Sequence, residues 1–461
     1  MALPEEFKNR MRSLLGDEYG AFINAFEKEE AVRALRVNTL KISREDFLRC
    51  APFSLEPLAF SENGFKFSEK KVGADPLHHA GAYYVQDPGA QSALAAVSSY
   101  IREDMRVLDL CAAPGGKSSQ ILTYLGSGSL LSNEIDRKRC RILRSNLERM
   151  GASRACVTCT DSADIADTFG AVFDLVCCDA PCSGEGMMRK YDEAVEEWSV
   201  ENVIACAHRQ REILDCAARC VAAGGYLLYS TCTFALEENE MTVDAFLLRH
   251  SDFSIVPADP AVVSATADGV NFEGAHFDMK DARRFYPHVT EGEGQFLCLM
   301  KRDDNAEVFV PRAKTKKKGK EKPGDGLTRE ETAAVEKFFR ENLEKGEYSF
   351  AKIGEYIMLC NDLPRHPAEV FAGVCVGTVR SGRLEPHHHL FSVLGKRFLR
   401  RVELSAESRE AVDYLSGEVI DTKEKNGWCA VLIEGCPAGG GKIVDGKVKN
   451  HYPKGLRLLK Q

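Results

Sequence analysis

Between about residue 87 and residue 301 the chain alternates short apolar runs with longer stretches of helical periodicity, and few folds accommodate that pattern. The apolar runs at 106–110, 129–133, 155–160, 173–179 and 226–230 are interleaved with helical stretches at 117–125, 137–150 and 201–223. Strands separated by helices pair in parallel, each helix crossing back over the sheet with right-handed sense. The alternation therefore predicts an α/β fold built on a doubly wound, mostly parallel sheet. The run at 294–301 (GQFLCLMK) is expected to close that sheet as its edge strand.

At 461 residues the chain exceeds the size at which one core stops growing, so further domains are expected on either side. Residues 1–76 open with Phe7, Met11, Leu14 and Leu15 at helical spacing and contain the strand-like stretch 35–40, a small mixed N-terminal domain. The doubly wound domain takes 77–302. Residues 303–326, rich in Lys, Pro and Gly, read as a basic linker. A small intermediate domain, 327–389, begins at Thr328-Arg329-Glu330-Glu331, the capping-box arrangement before a helix expected to reach about residue 343. Residues 390–461, with a strand-like stretch at 428–433 and the Gly439-Gly440-Gly441 turn, form a β-rich module. There are no internal repeats.

Composition narrows the setting. The absence of any run of eighteen apolar residues argues against a membrane span, and residues 1–12 carry charges of both signs with no apolar signal-peptide core. Seventeen cysteines without a secretory signal point to a reducing compartment, the cytoplasm. The net charge of −8 hides two local concentrations of positive charge. Lys314, Lys316, Lys317, Lys318, Lys320 and Lys322 cluster in the linker, where they read first as a solvated run. Lys442, Lys447, Lys449, Lys454, Arg457 and Lys460 crowd the C-terminal module, with Tyr452 and Trp428 available to stack or pack. Phosphates respond to charge within about a Debye length, ~8 Å at physiological salt, so a local basic face outweighs the global balance. The C-terminal cluster is the better candidate for nucleic acid.

Three segments carry chemistry. The first runs from the apolar end of a strand at Asp109 through Cys111, Ala112, Ala113, Pro114, Gly115, Gly116 and Lys117. Small residues let the backbone approach a ligand, and a helix N-terminus offers free N–H groups to a carboxylate or phosphate. The segment is not G-x-G-x-x-G, which disfavours a nicotinamide-dependent oxidoreductase. A second apolar run ends at Ser132-Asn133-Glu134, where an acid can accept from both hydroxyls of a ribose. A ligand with adenosine at one end and a charged amino acid at the other fits both, namely S-adenosyl-L-methionine. The third element is a pair of cysteines, in Asp179-Ala180-Pro181-Cys182 and Ser230-Thr231-Cys232-Thr233, each just beyond a strand end. Carbon-5 of cytosine is too weak a nucleophile to accept a methyl group until something adds to carbon-6, and a thiolate is the natural adding group. A second acid or base must then help expel the enzyme.

Most of the other cysteines read as core. Cys177 and Cys178 sit inside an apolar run, and Cys216 and Cys220 share a helical face. Cys156 and Cys159 have zinc-like spacing without a second ligand pair, and they fall on a strand whose residues alternate faces, so no metal is expected. His387, His388 and His389 point in different directions on any regular element, and no role is assigned to them.

Taken together, these segments resemble the RsmF-type branch of the ribosomal RNA cytosine-C5 methyltransferases, relatives of the NOP2/Sun proteins. The likeness is carried by 111–117, Asn133-Glu134, Thr160-Asp161, 179–190 (DAPCSGEGMMRK), 229–233 (YSTCT) and Glu237-Glu238-Asn239-Glu240. It is carried also by 35–41 (LRVNTLK), 84–91 (YVQDPGAQ) and 450–457 (NHYPKGLR), and is thinnest between 308 and 390. The resemblance implies a Rossmann-like methyltransferase core and a PUA-like C-terminal module. It makes Cys232 the nucleophile, Cys182 the aid to product release, and Asp179 the partner of the N3 edge of the base. It also gives the hold on S-adenosyl-L-methionine to residues 111–117, Glu134, Asp161 and Asp179. Pro181 is followed by cysteine where exocyclic-amine methyltransferases have Pro-Pro-aromatic, which disfavours that chemistry. The implied partner is RNA, 16S rRNA of the small subunit, rather than DNA or a membrane, and the implied state a monomer. Transfer RNA is the alternative substrate, and a non-catalytic rRNA-binding assembly factor the alternative role.

Overall fold

The computed structural model describes residues 3–28, 31–69, 72–290, 292–311, 326–359 and 365–459. The lysine run of the linker and Lys460 lie outside the described residues. The N-terminal module is a four-stranded sheet of Ala34–Val37 (β1), Glu56–Leu58 (β2), Ser61–Lys66 (β3) and Tyr83–Val85 (β4), in the order β2-β3-β1-β4. Its sheet crosses the boundary expected at residue 76, because β4 pairs along β1, where Leu35 and Val37 are fully buried and need cover on both sides. The helices Glu5–Leu15 and Tyr19–Lys28 pack Phe7, Met11, Phe22 and Phe26 against Trp198, Phe234 and Tyr286 of the next module.

That module is centred on five parallel strands, Arg106–Asp109 (β5), Ser129–Asn133 (β6), Ala155–Thr158 (β7), Phe173–Asp179 (β8) and Val221–Thr231 (β9), ordered β7-β6-β5-β8-β9. Helices Gly116–Tyr124, Arg137–Met150, Ser162–Phe169 and Val200–Cys220 link them, the last three begun by Asp136, Asp161 and Ser199, whose side chains accept from first-turn N–H groups. Phe253–Ile255 (β10), Ala267–Asp268 (β11), Arg283–Phe285 (β12) and Gln295–Arg302 (β13) add antiparallel. The segment expected as the edge strand is interior: β13 pairs β9 on one side and β10 and β12 on the other. Phe296, Leu297, Cys298, Leu299 and Met300 are at most 1% exposed, and an edge so apolar would invite aggregation.

Beyond the linker, the helix Arg329–Asn342 starts on the capping box Thr328/Glu331. It leads to Phe350–Ile353 (β14), Tyr356–Leu359 (β15), Glu369–Ala372 (β16), Val374–Arg380 (β17) and Arg383–Pro386 (β18). Four of these form one small sheet, whereas β16 leaves it and extends the large sheet by pairing antiparallel with β7, which buries Phe371 in the central core. The last module is a five-stranded sheet of Arg401–Leu404 (β19), Ile420–Asp421 (β20), Gly427–Ile433 (β21), Cys436–Val444 (β22) and Lys447–Asn450 (β23), ordered β19-β21-β22-β23-β20. It shares one apolar core with the N-terminal module, Leu35, Val37, Phe47 and Tyr83 packing with Tyr414, Val431 and Tyr452. Buried Lys41 ties the modules together, its Nζ donating to Ala80 O, Ser392 Oγ and Pro437 O at 2.7–2.9 Å. No described helix is long and apolar enough to cross a membrane.

Candidate active site

In an open parallel sheet the ligand crevice lies beyond the carboxyl ends of the strands, where the chain reverses its order across the sheet. Here that point is between β5 and β8, and the segments singled out by sequence all emerge on this rim. After β5, the chain turns through a cis Ala113–Pro114 bond to Gly115, whose φ of +108° favours glycine. The helix Gly116–Tyr124 then starts with no side-chain cap, which leaves its first N–H groups to a ligand. Ala112 N donates to Asn133 O, and Arg139 bridges the loops that follow β5 and β6, donating to Ala113 O at 2.8 Å and lying 3.4 Å from Glu134. Glu134, 3% exposed, also accepts from Asp136 N. Cys111 is half-buried against the Cys178 thiol, whose pKa that contact and burial push well up. Asp161 caps the helix after β7 by accepting from Asp164 N at 2.8 Å, while Asn133 reaches across to the neighbouring Thr160 O.

One carboxyl missing from the sequence-based set is Asp109, the last residue of β5. It is fully buried, Oδ2 accepting from Ser118 Oγ at 2.6 Å and Oδ1 lacking a partner. Burial, only partly offset by Ser118, raises its pKa to about 7. A polar residue closing an apolar strand was the available signal.

Asp179, the last residue of β8, is held from two sides. Lys117 Nζ lies 2.8 Å from Oδ2, and Ser230 Oγ of β9 donates to Oδ1 at 2.8 Å. Burial works against the Lys117 ammonium, but the charge and hydrogen bond of Asp179 outweigh it and raise the lysine pKa. Beyond these strand ends the two loops bring Cys182 Sγ to 3.2 Å from Cys232 Sγ, both residues half-buried. The bond to Cys232, with burial, holds the Cys182 thiol well above the ordinary cysteine range. Gly186 N donates to Cys232 O, and Ser183 Oγ lies 2.9 Å from Thr233 Oγ1.

Three family models cover most of the chain. One described as 16S rRNA methyltransferase RsmB/F matches residues 98–301, and another, the N-terminal domain of 16S rRNA methyltransferase RsmF, matches 3–88. A third, the methyltransferase RsmF PUA domain, matches 401–458. Ribosomal RNA small subunit methyltransferase F of Klebsiella pneumoniae is 30% identical over 98% of this chain and 96% of its own length. The chain belongs to the RsmF family of 16S rRNA methyltransferases. The Erwinia tasmaniensis protein of the same name is 32% identical over 65% of this chain and 63% of its own. Among solved structures, a methyltransferase homolog protein from Pyrococcus horikoshii superposes with a TM-score of 0.57 at 26% identity, over 65% of this chain and 95% of that one. The NSun6 structure from the same organism, solved with SFG, has a TM-score of 0.54 at 21% identity over 65% and 98%, a likeness of fold.

Against this family frame the EENE segment, quoted in sequence without roles, divides its work. Glu237 pairs with Arg10 and Glu238 accepts from Ser183. Asn239 accepts from Thr231 and donates to Thr233 O, and Glu240 pairs with Arg284. Of the two expectations for Tyr452, stacking or packing, the structure shows packing: it is 2% exposed and hydrogen-bonded to His79 at 3.0 Å. Its ring is apolar and the shared core lies beside it, so packing prevails. His387 caps the short helix His388–Leu394, in which His388 and His389 are buried. Burial lowers the His388 pKa to about 3. Among the described residues no cluster of three or more His, Cys, Asp or Glu is placed to hold a metal ion.

Proposed function

We propose that this chain methylates carbon-5 of a cytosine in 16S rRNA, with S-adenosyl-L-methionine as donor, through a covalent bond between Cys232 and carbon-6. The single observation that carries the reading is the Cys182–Cys232 pair at 3.2 Å, beside the Lys117–Asp179 contact at the strand ends. The donor set suits the cofactor. The uncapped helix start and the close backbone at Gly115 fit its carboxylate, and Glu134 fits its ribose. The unpartnered buried Oδ1 of Asp109 suits its ammonium group. When bound, S-adenosyl-L-methionine supplies an electrophilic methyl group.

The nucleophile is the cysteine the family resemblance assigns, Cys232, with the Cys182 sulfur 3.2 Å away. Its sulfur bonds to carbon-6 while the ring's electron pair moves toward carbon-5, and Asp179 hydrogen-bonds the protonated N3 edge. Lys117 and Ser230 fix the Asp179 carboxyl for that contact. After methylation the carbon-5 proton passes to the Cys182 sulfur, the electron pair it leaves restores the carbon-5–carbon-6 double bond, and the carbon–sulfur bond breaks to return Cys232 as thiolate. Asp161, on the same rim, completes the cofactor side. RNA binding falls to the exposed Lys442 and Lys449 of the last sheet, in register with Trp428 across β21, β22 and β23; the indole is half-buried against Phe338 and Phe391, with Lys442 Nζ 5.9 Å from its centroid, so the lysines rather than a free aromatic face meet the phosphates. The enzyme works as a cytoplasmic monomer. The intact cysteine pair speaks against a non-catalytic assembly factor, and the near full-length small-subunit relative against transfer RNA.

Bisulfite sequencing of 16S rRNA and transfer RNA from a strain lacking the gene tests this. A 5-methylcytosine should vanish from 16S rRNA and return with the wild-type gene but not with Cys232→Ala. Restoration by Cys232→Ala, or loss confined to transfer RNA, overturns the reading.

A further inference from the structure

Cys182 is gripped through its neighbours on both sides. Gln210, in the middle of the helix Val200–Cys220, donates from Nε2 to Pro181 O at 3.0 Å and to Glu238 Oε2 at 2.8 Å. Glu238 in turn accepts from Ser183 N at 3.0 Å and from Ser183 Oγ at 2.5 Å. Both gripping side chains are 0% exposed. The same grip reaches the opposite loop, because Ser183 Oγ also meets Thr233 Oγ1, one residue past Cys232. Thr233 Oγ1 and Phe234 N both approach Glu185 at 2.9 Å, and Trp198 Nε1 donates to that carboxyl at 3.0 Å.

A carboxyl and an amide buried at one point are a costly way to fill space, since apolar side chains of equal volume would pack there without desolvating polar groups. What the polar pair adds is direction. Cysteine has a single side-chain torsion, so a fixed backbone leaves Sγ only three staggered positions. Clamping the Pro181 carbonyl and the Ser183 amide fixes the backbone on either side of that sulfur.

We propose that Glu238 and Gln210 are positioning residues for Cys182, holding its thiol against Cys232 and thereby setting the rate of product release. The proposal rests on the reading that Cys182 assists elimination, and goes beyond it by naming what places that thiol. Neither residue contacts Cys232, and Glu185 holds the residues that follow it independently of the clamp, so loss of Glu238 or Gln210 falls on release rather than on addition. A displacement on the order of 1 Å costs about 100-fold in a step that depends on alignment.

The test uses the full chain, S-adenosyl-L-methionine and a 16S rRNA fragment as substrate. Glu238→Ala, Gln210→Ala and the equal-length Gln210→Met are compared with wild type and Cys182→Ala by denaturing gel, single-turnover methyl transfer and steady-state turnover. The clamp variants should accumulate a covalent protein–RNA adduct and lose about 100-fold in kcat. Their single-turnover methyl transfer should stay within about threefold of wild type, and the KM values for RNA and cofactor should hold, a split that general loosening of the fold does not produce. If Glu238→Ala does not fold, Gln210→Met decides. Adduct trapped by Cys182→Ala but not by the clamp variants, or a parallel fall of single-turnover transfer and kcat, overturns the clamp while leaving the role of Cys182 standing. Absence of adduct from Cys182→Ala itself overturns the release reading and the clamp with it.

Discussion

Arg284→Met should destabilise the methyltransferase module by about 3–5 kcal/mol, the usual cost of stranding one partner of a buried ion pair. Arg284 and Glu240 have side chains only 2% and 0% exposed. The guanidinium makes two contacts to the Glu240 carboxylate, Nε to Oε1 at 2.5 Å and Nη2 to Oε2, and Nη1 donates to Phe234 O at 2.9 Å and to the Tyr286 hydroxyl at 3.1 Å. Methionine fills most of the volume, so the loss is electrostatic rather than a cavity. It leaves the Glu240 carboxylate buried with Val270 N, 3.0 Å from Oε1, still donating to it. Removing both charges, in Arg284→Met with Glu240→Leu, should recover about 2–3 kcal/mol of that loss, because no charge is then buried alone. Thermal unfolding of the four proteins of the cycle measures this. For a module of this size the single change corresponds to a Tm lower by roughly 10 °C. Since Phe234 lies two residues past Cys232, turnover should fall as well. A cost under about 1 kcal/mol for Arg284→Met, or a double variant no more stable than the single one, refutes the reasoning.

The Asp109 carboxyl, raised to about 7 by burial, makes stability fall as pH increases. The protonated form is favoured by the fold, so its contribution is complete below the unfolded carboxyl value, about 3.9, and is lost as pH passes through about 7. Asp109→Asn should flatten that decline in urea titrations from pH 5 to 8. If Asp109 receives the cofactor's ammonium, calorimetry should find S-adenosyl-L-methionine bound more tightly at pH 8 than at pH 6 by wild type, with the difference abolished in Asp109→Asn. Lys442→Glu with Lys449→Glu should weaken RNA binding and reduce the slope of log affinity against log salt by about two, with cofactor affinity unchanged. Equal slopes would move RNA recognition elsewhere.

The elements that sequence determined are those governed by local pattern. Periods of two and 3.6 residues marked the strands and helices of the central sheet, the Thr328/Glu331 capping box lies within one helical turn, and the small residues of 111–117 define their own sharp turn. Cys182 and Cys232 stood out because each follows an apolar strand, and the ends of parallel strands share one rim whatever surrounds them. Tertiary structure alone decided which elements lie beside one another. Residues 295–302 have the same hydrophobicity whether interior or at an edge, so only the pairing with β10 and β12 makes β13 interior. The stretch 369–372 could have stayed with its neighbours in sequence, but it pairs with β7, where Phe371 is buried in the central core. Tyr452 and Trp428 carry the same kind of aromatic signal, yet one is sealed in the core shared with the N-terminal module and the other lies half-buried against Phe338 and Phe391, with its register partner Lys442 exposed. The distance between the two sulfurs depends on Gln210 and Glu238, 28 residues apart in sequence and joined only by folding. Hydrogen bonds between distant residues leave no periodic trace in a chain, since their partners are chosen by the packing of the elements that carry them.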